Sequence, residues 1–118
     1  MVKMIVLDLD KTLLNDNCII SEYSVSVLKI CMKNNIKIAF ATARSYNSTI
    51  RFIEQVKPNI VILNNGTLTL YENEVFDQKL LSKENANMII QELFGQKNVG
   101  KILFETENEK FKVCKKDC

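Results

Sequence analysis

Residues 4–12 read Met-Ile-Val-Leu-Asp-Leu-Asp-Lys-Thr, an apolar run that ends in two closely spaced aspartates. A short, continuous apolar run with polar residues at its end is typical of a strand buried on both faces of a parallel sheet. Comparable runs follow at 36–41 and 59–63, and the segments between them, 21–34 and 46–56, carry apolar residues at helical spacing. This alternation predicts an α/β fold, namely half of a doubly wound parallel sheet.

The rest of the chain has a different pattern. Short stretches at 67–71 and 75–78 flank a polar turn and predict a hairpin, and 82–94 predicts an amphipathic helix. A further antiparallel pair of strands is predicted at 101–106 and 110–115. The remainder of the chain therefore differs in character from the alternation that precedes it.

Length and composition fit one domain and the beginning of another. The chain has 118 residues, of which 47% are hydrophobic and 25% charged, as in ordinary globular proteins. We place a boundary near Leu80, so that residues 1–80 form the first domain and residues 81–118 the incomplete second one. No stretch rich in glycine, proline or serine marks this boundary.

Charge and residue usage exclude several classes of function. The 16 basic and 14 acidic residues are scattered, so the sequence predicts neither nucleic-acid binding nor a membrane-binding helix. The absence of histidine excludes Ser-His-Asp and Cys-His catalysis, and three glycines are too few for a glycine-rich phosphate loop. Four cysteines without a C-x-x-C pair, and a start that resembles no signal peptide, indicate a cytoplasmic protein.

The candidate functional residues follow the predicted parallel strands, because open α/β sheets bind ligands beyond the carboxyl ends of their strands. Asp8 and Asp10 follow the first strand, and their spacing places both carboxylates on one side of an extended chain. Two neighbouring carboxylates favour a cation between them, and Mg2+ prefers such oxygen ligands. Thr42 and Ser45 follow the second strand, where hydroxyls and the free amides of a helix start could hold a phosphate.

Each pattern also has a purely structural interpretation. Asp8 and Asp10 could mark a solvated strand end, and Thr42 and Ser45 could simply cap the next helix. The combination of all three strand ends, with Asn65-Gly66 after the third strand, is more specific than any one of them.

These motifs together resemble the haloacid dehalogenase superfamily. The segment 8–12, Asp-Leu-Asp-Lys-Thr, matches its D-x-D-x-T signature, and 41–44, Ala-Thr-Ala-Arg, with Asn65-Gly66 is similar to its Cof-type, sugar-phosphatase-like branch. The resemblance covers the whole chain. It implies an Mg2+-dependent phosphomonoester hydrolase for small phosphorylated metabolites, with part of a Rossmann-like core and the beginning of an α+β cap.

The same resemblance implies roles for single residues. Asp8 would be the nucleophile that forms an aspartyl-phosphate, and Asp10 would be the general acid and base. The Asp8 carboxylate and the Asp10 main-chain carbonyl would bind Mg2+. Thr42, together with Leu9 and Ala43, would hold the phosphoryl group.

Two further residues would face the substrate at the mouth of the site, namely Arg44 and Asn65. The signature most often has glycine where this chain has Lys11 and Ala43. Both replacements are tolerated variants of the pattern.

The family pattern also includes a later lysine and a later pair of acids that completes the magnesium site, and no suitable set follows residue 80. We therefore expect a chain that is truncated within the cap and has little or no activity by itself. The family's sheet order places further strands beside residues 4–7. This strand is thus predicted to be an exposed apolar edge through which the chain could form homo-oligomers.

Two other functions compete with the phosphatase. A noncatalytic fragment or interaction module that folds by pairing with itself or another chain is the main alternative, and the intact mass and reading-frame length distinguish it. A phospho-receiver domain is disfavoured, because Asn64-Asn65 stand where its phosphate-accepting aspartate is expected.

Overall fold

The computed structural model describes residues 1–105 and 110–114 of the chain. The chain divides into two compact units, Met1–Lys79 and Leu80–Cys118. The assignment of these units to a core and the beginning of a cap stays a prediction. Within the described ranges, no helix is long and apolar enough to cross a membrane.

The first unit is a five-stranded sheet with two helices. Its elements are β1 (Met4–Leu7), α1 (Glu22–Lys33), β2 (Lys37–Ala41), α2 (Tyr46–Val56), β3 (Ile60–Leu63), β4 (Leu68–Tyr71) and β5 (Glu74–Gln78). The strands lie in the order β1-β2-β3-β4-β5, the first three parallel and the last two antiparallel. The predicted α/β fold is confirmed, and the predicted hairpin forms the antiparallel edge of the same sheet.

The helices begin and end where the sequence supplies a signal. Ser21 precedes α1, and its Oγ accepts a hydrogen bond from the Ser24 amide at 3.1 Å. α2 ends at Lys57, which has left-handed backbone (φ 56°) and is followed by Pro58. Each helix connects two parallel neighbours, as parallel pairing requires.

Both helices pack on the same face of the sheet. On β2 and β3, alternate side chains point to this face and are buried, namely Ile38, Phe40, Val61 and Leu63. They form one core cluster with the buried helical residues Leu28, Phe52, Ile53 and Val56. This cluster lies under the loops that leave the carboxyl ends of the parallel strands.

The opposite face of the sheet is open at β1. Met4 and Val6 point to this face and are 45% and 56% exposed. Among the strands that the structure describes, β1 pairs with β2 alone. β1 therefore presents unpaired main-chain groups and large apolar side chains to solvent, as the sequence predicted for this strand.

The second unit contains one helix and one strand pair in its described part. These elements are α3 (Lys83–Gly95), β6 (Lys101–Glu105) and β7 (Lys110–Cys114), with β6 and β7 antiparallel. α3 begins after Ser82, whose Oγ accepts a hydrogen bond from the Asn85 amide at 3.1 Å. The predicted strand ends Thr106 and Lys115 lie outside the described residues.

Candidate active site

A tight turn follows β1 and presents both predicted carboxylates. Main-chain hydrogen bonds close this turn, from the Leu13 amide to the Asp8 carbonyl (3.3 Å) and from the Leu14 amide to the Leu9 carbonyl (2.8 Å). Leu9 is fully buried in the core, whereas Asp8 and Asp10 on either side of it are exposed. The buried leucine thus anchors the turn while its two neighbours remain accessible.

Lys11 gives the turn its change of direction. Its backbone has φ 58° and ψ 13°, the left-handed region. A residue with a Cβ atom pays about 1–2 kcal/mol for this conformation, and glycine does not. The conformation explains why glycine suits this position of the signature.

The loop after β2 is organised by Thr42. This residue is buried, its Oγ1 accepts a hydrogen bond from the Arg44 amide at 3.1 Å, and its own amide donates to the Ile62 carbonyl at 2.9 Å. A hydroxyl that accepts one bond keeps its hydrogen for a different acceptor. The Thr42 hydroxyl can therefore donate to a ligand while both hydrogen bonds of this residue are kept.

Ser45 occupies the N-cap position of α2 without the side-chain bond that would make it a cap. Ser45 stands directly before α2, but its hydroxyl makes no capping bond to the helix amides. Its Oγ lies 3.2 Å from Ser48 Oγ, and its carbonyl accepts a hydrogen bond from Thr49 Oγ1 at 2.9 Å. The hydroxyls of this first turn bond to one another and to the Ser45 carbonyl, and none of these bonds reaches a helix amide.

The loop after β3 has an unusual backbone. Asn64, Asn65 and Gly66 have φ angles of 49°, 55° and 90°, so three successive residues are left-handed. Asparagine tolerates this region better than most residues, and glycine has no Cβ to clash. The resulting bend reverses the chain between the antiparallel neighbours β3 and β4.

The three loops border a cavity of about 540 Å³ at the carboxyl end of the parallel strands. The residues that line it are Asp8, Asp10, Ala41, Thr42, Ala43, Ile62, Asn65 and Gly66. The cavity thus brings together two carboxylates, a hydroxyl and a side-chain amide from three segments that are distant in sequence. Asp8 Oδ1 accepts a hydrogen bond from the Leu9 amide at 2.7 Å.

Asp10 forms an ion pair with Arg44. Arg44 Nε donates to Asp10 Oδ2 at 2.8 Å, and Arg44 Nη2 donates to Asp10 Oδ1 at 2.6 Å. This two-point geometry matches the planar guanidinium to the planar carboxylate. It joins the turn after β1 to the loop after β2.

The pair changes the ionisation of both partners. Hydrogen bonds from Arg44 lower the pKa of the Asp10 carboxyl; the guanidinium charge acts in the same direction, and partial loss of hydration opposes both. The same hydrogen bonds raise the pKa of the Arg44 guanidinium. Asp10 is therefore a carboxylate at neutral pH and can accept a proton.

Most of the residues predicted for the site line this cavity: Asp8, Asp10, Thr42, Ala43 and Asn65. Leu9 does not, since its side chain belongs to the core and its amide donates to Asp8. Arg44 is engaged by Asp10 beside the cavity. The chemical roles assigned to these residues stay predictions.

Sequence reasoning missed the bond between Asp10 and Arg44. A usable signal was present, because β1 and β2 are parallel neighbours and opposite charges follow both strands. It also missed Ile62 and Ala41, which line the cavity although they belong to strands. An apolar residue within a strand carries no local signal that it reaches a cavity.

The donor set of the cavity suits a divalent cation in part. Mg2+ commonly binds one or two carboxylates together with water and substrate phosphate. Asp8 has lone pairs available, whereas both carboxylate oxygens of Asp10 accept bonds from Arg44. In the part of the chain that the structure describes, no three acidic, cysteine or histidine side chains gather as a metal site. Asp8 and the main-chain carbonyl of Asp10 are the groups that fit.

Comparison with known proteins gives a consistent result. A family model described as haloacid dehalogenase-like hydrolase matches residues 5–117. MG265, a candidate phosphatase of Mycoplasma genitalium, is 42% identical over 67 residues, which are 56% of this chain and 24% of that protein.

Solved structures share the fold. A hypothetical protein from Geobacillus kaustophilus superposes with a TM-score of 0.82 at 19% identity, over 95% of this chain and 43% of its own. The subclass IIB sugar phosphatase BT4131 gives a TM-score of 0.72 at 20% identity, over 92% of this chain and 43% of its own. At such identities the likeness shows the fold alone. The chain spans less than half the length of each of these proteins.

Proposed function

Because the chain belongs to the haloacid dehalogenase-like hydrolases, we propose that it carries the nucleophile and acid–base groups of a phosphomonoester hydrolase. The observation that carries this proposal is that Asp8, Asp10 and Thr42 line the same cavity. A carboxylate nucleophile, a second carboxylate for proton transfer and a hydroxyl donor are the groups that phosphoryl transfer to an aspartate requires. Small phosphorylated metabolites are the proposed substrates, and the similarity to the candidate phosphatase MG265 supports hydrolysis of phosphate esters.

Asp8 is the nucleophile in this proposal. Its free carboxylate oxygen attacks phosphorus, the new oxygen–phosphorus bond forms, and the bond to the leaving alkoxide breaks. The bond from the Leu9 amide to Oδ1 at 2.7 Å restrains the carboxylate during this attack. The product is an aspartyl-phosphate that water must then hydrolyse.

Asp10 moves the protons. It gives a proton to the leaving oxygen in the first half-reaction and takes one from the attacking water in the second, which returns Asp8 to a free carboxylate. The first step requires the protonated form of Asp10. Because Arg44 favours the carboxylate form, that proton is the one taken from water in the preceding turnover or one drawn from solvent.

The remaining groups of the cavity bind the substrate in this proposal. The Thr42 hydroxyl donates to a phosphoryl oxygen, with the loop amides near Ala43 in support, and Asn65 meets the leaving group at the mouth. Leu9 keeps its predicted phosphate-binding role as part of the proposal, whereas the substrate-binding role predicted for Arg44 stays a prediction, because its side chain is engaged by Asp10. Mg2+, held by the Asp8 carboxylate and the Asp10 carbonyl, would offset the charge of the phosphoryl oxygens. A cytoplasmic location completes the proposal.

The proposal is tested by hydrolysis of p-nitrophenyl phosphate with Mg2+, in the protein as it is made in the cell and in the 118-residue chain alongside. Asp8→Asn is expected to abolish turnover, because an amide is a far weaker nucleophile than a carboxylate. Asp77→Asn is the matched control, since Asp77 is an exposed aspartate of β5 that does not line the cavity. Full turnover by Asp8→Asn would refute the assignment.

The 118-residue chain by itself is expected to turn over slowly. The lysine and acidic pair of the family pattern would supply positive charge and metal ligands, and such electrostatic stabilisation is usually the largest catalytic contribution. Adding a polypeptide that carries these groups should raise Mg2+-dependent hydrolysis. If the added polypeptide binds and the rate of Mg2+-dependent hydrolysis does not rise, the expectation that these groups complete the site is contradicted.

A second candidate function, a self-associating interaction module, is favoured by the open edge at β1. Val6 is 56% exposed on a strand whose outer main-chain groups are unpaired within the described residues. Val6→Lys should weaken self-association measured by light scattering, because a charge on an edge strand opposes strand pairing. Val75→Lys on the other edge, where Val75 is 62% exposed, is the control. Equal scattering from both variants and the parent chain would count against this function.

A further inference from the structure

Arg44 touches the segments that follow all three parallel strands. Its side chain binds Asp10 after β1, its amide donates to Thr42 Oγ1 at 3.1 Å after β2, and its carbonyl accepts from the Asn64 amide at 3.0 Å after β3. These contacts make Arg44 the residue through which the three loops of the cavity are joined. Its main chain is therefore fixed relative to the cavity.

The guanidinium of Arg44 is also held from the helix side. Its centre lies 5.7 Å from the centroid of the buried Phe52 ring of α2, and Nη1 reaches the Ser48 carbonyl at 3.4 Å. The side chain is only 24% exposed, whereas that of its partner Asp10 is 49% exposed. The arginine is thus the fixed member of the pair, and the aspartate is the member that would otherwise rotate.

A two-point bond restricts the aspartate more than a single bond does. With Nε on Oδ2 at 2.8 Å and Nη2 on Oδ1 at 2.6 Å, the carboxylate can neither rotate about its last bond nor leave its rotamer without losing both contacts. The donors Nε and Nη2, which a substrate clamp would need, are used within the protein.

The geometry points to Arg44 as the positioning residue of Asp10, which holds the Asp10 carboxylate at the cavity so that it can transfer protons. This inference rests on the proposed function, because it assigns a consequence to the placement of Asp10. Arg44 then acts on the reaction through Asp10 rather than by binding substrate.

The leaving group separates these two roles. An alkyl phosphate needs a proton on its leaving oxygen, whereas p-nitrophenolate departs without one, so only the alkyl ester depends strongly on a placed acid. Arg44→Ala is expected to lower kcat/KM, which reports the steps through release of the leaving group, by about 10²-fold for an alkyl phosphate such as glucose 6-phosphate, the usual cost of a misplaced catalytic group. For p-nitrophenyl phosphate we expect a loss of kcat/KM below roughly threefold, because release of p-nitrophenolate needs little acid assistance.

Two variants serve as controls. Arg44→Lys keeps the positive charge but cannot make the two-point bond, so it should show the same selective loss to a smaller extent. Arg51→Ala removes the other arginine over the Phe52 ring, at 4.5 Å from the centroid, and should leave both substrates unaffected. Arg44→Lys also replaces the alanine variant if that variant folds poorly.

The results decide between the roles. Equal losses of kcat/KM on both substrates, or a raised KM with unchanged kcat, would overturn the positioning role. If the unmodified protein turns over neither substrate, the proposed function fails, and NMR couplings about the Cα–Cβ bond of Asp10 still test the inference. A single rotamer that becomes averaged in Arg44→Ala supports it, and a single rotamer in both proteins overturns it.

Discussion

The carboxyl end of the parallel strands and the open face beside β1 belong to the same sheet, but they hold their side chains in opposite ways. At the carboxyl end, Asp8, Asp10 and Thr42 are each restrained by a hydrogen bond from a neighbouring group. On the open face, Met4 and Val6 are large apolar side chains that remain about half exposed.

This difference indicates which part of the fold holds the side chains of the site in place. The loops of the cavity rest on the helix-covered face, through Leu9 and the cluster that contains Phe40 and Val61. On the open face, Ala41 and Ile62 alternate with the core residues of β2 and β3 and line the cavity. The arrangement of the site should therefore depend on the helix-side core and on these two residues, and should tolerate change at Met4 and Val6.

The largest effect that sharpens this contrast is expected at Asp10. Asp10→Asn should slow turnover by roughly 10²–10⁴-fold, the usual contribution of a positioned acid or base. Val6→Ser places a small polar side chain on the open face and should leave the turnover rate unchanged. Steady-state assays on both variants measure this, and a loss below about threefold for Asp10→Asn would indicate a structural role for Asp10.

The next effect concerns two adjacent residues of β4 that point to opposite faces. Leu70 is 4% exposed in the helix-side core, and Tyr71 is 46% exposed on the other face. Leu70→Ala should lower the free energy of unfolding by about 2–5 kcal/mol, and Tyr71→Ala by about 1 kcal/mol or less. Urea unfolding followed by circular dichroism measures both values; similar losses would show that the two faces are equally packed.

The fold could be read from the sequence because its elements are local. The apolar run 4–7, the helix after Ser21 and the hairpin at 67–78 each carry their own signals, and all are present in the structure. The polar ends of the strands predicted where the cavity lies, since parallel strands bring their carboxyl ends to one edge.

The hydrogen bonds of the site could not be predicted in this way, because several side chains compete for each bonding partner. Ser45, Ser48 and Thr49 all carry hydroxyls at one helix start, and no local rule selects whether they bond to the helix amides or, as here, to one another and the Ser45 carbonyl. The bond between Asp10 and Arg44 joins residues that are 34 positions apart, so it depends on the register of β1 and β2. The sequence did not predict that the Arg44 side chain binds Asp10.

The smallest expected effect concerns the ion pair between Asp10 and Arg44. Because Arg44 lowers the pKa of Asp10, Arg44→Ala should raise it, which NMR titration of the Asp10 carboxyl carbon in metal-free buffer measures. The stabilisation by the pair is present above the ordinary pKa of an aspartate and is lost as the pH falls through the lowered value. The difference in stability between parent and variant should therefore shrink in acid; an unchanged pKa in Arg44→Ala would show that the pair does not persist in solution.

The central claim is that Asp8 accepts a phosphoryl group, and the position of that group after reaction tests it most directly. The protein is mixed with substrate and Mg2+, quenched in acid during turnover, and digested for mass spectrometry, with Asp8→Asn and Asp77→Asn treated in parallel. The account predicts a phosphorylated peptide that contains residue 8 in the parent chain and in Asp77→Asn, and none in Asp8→Asn. A phosphoryl group on any other residue, or turnover with the Asp8 peptide unmodified throughout, would contradict it.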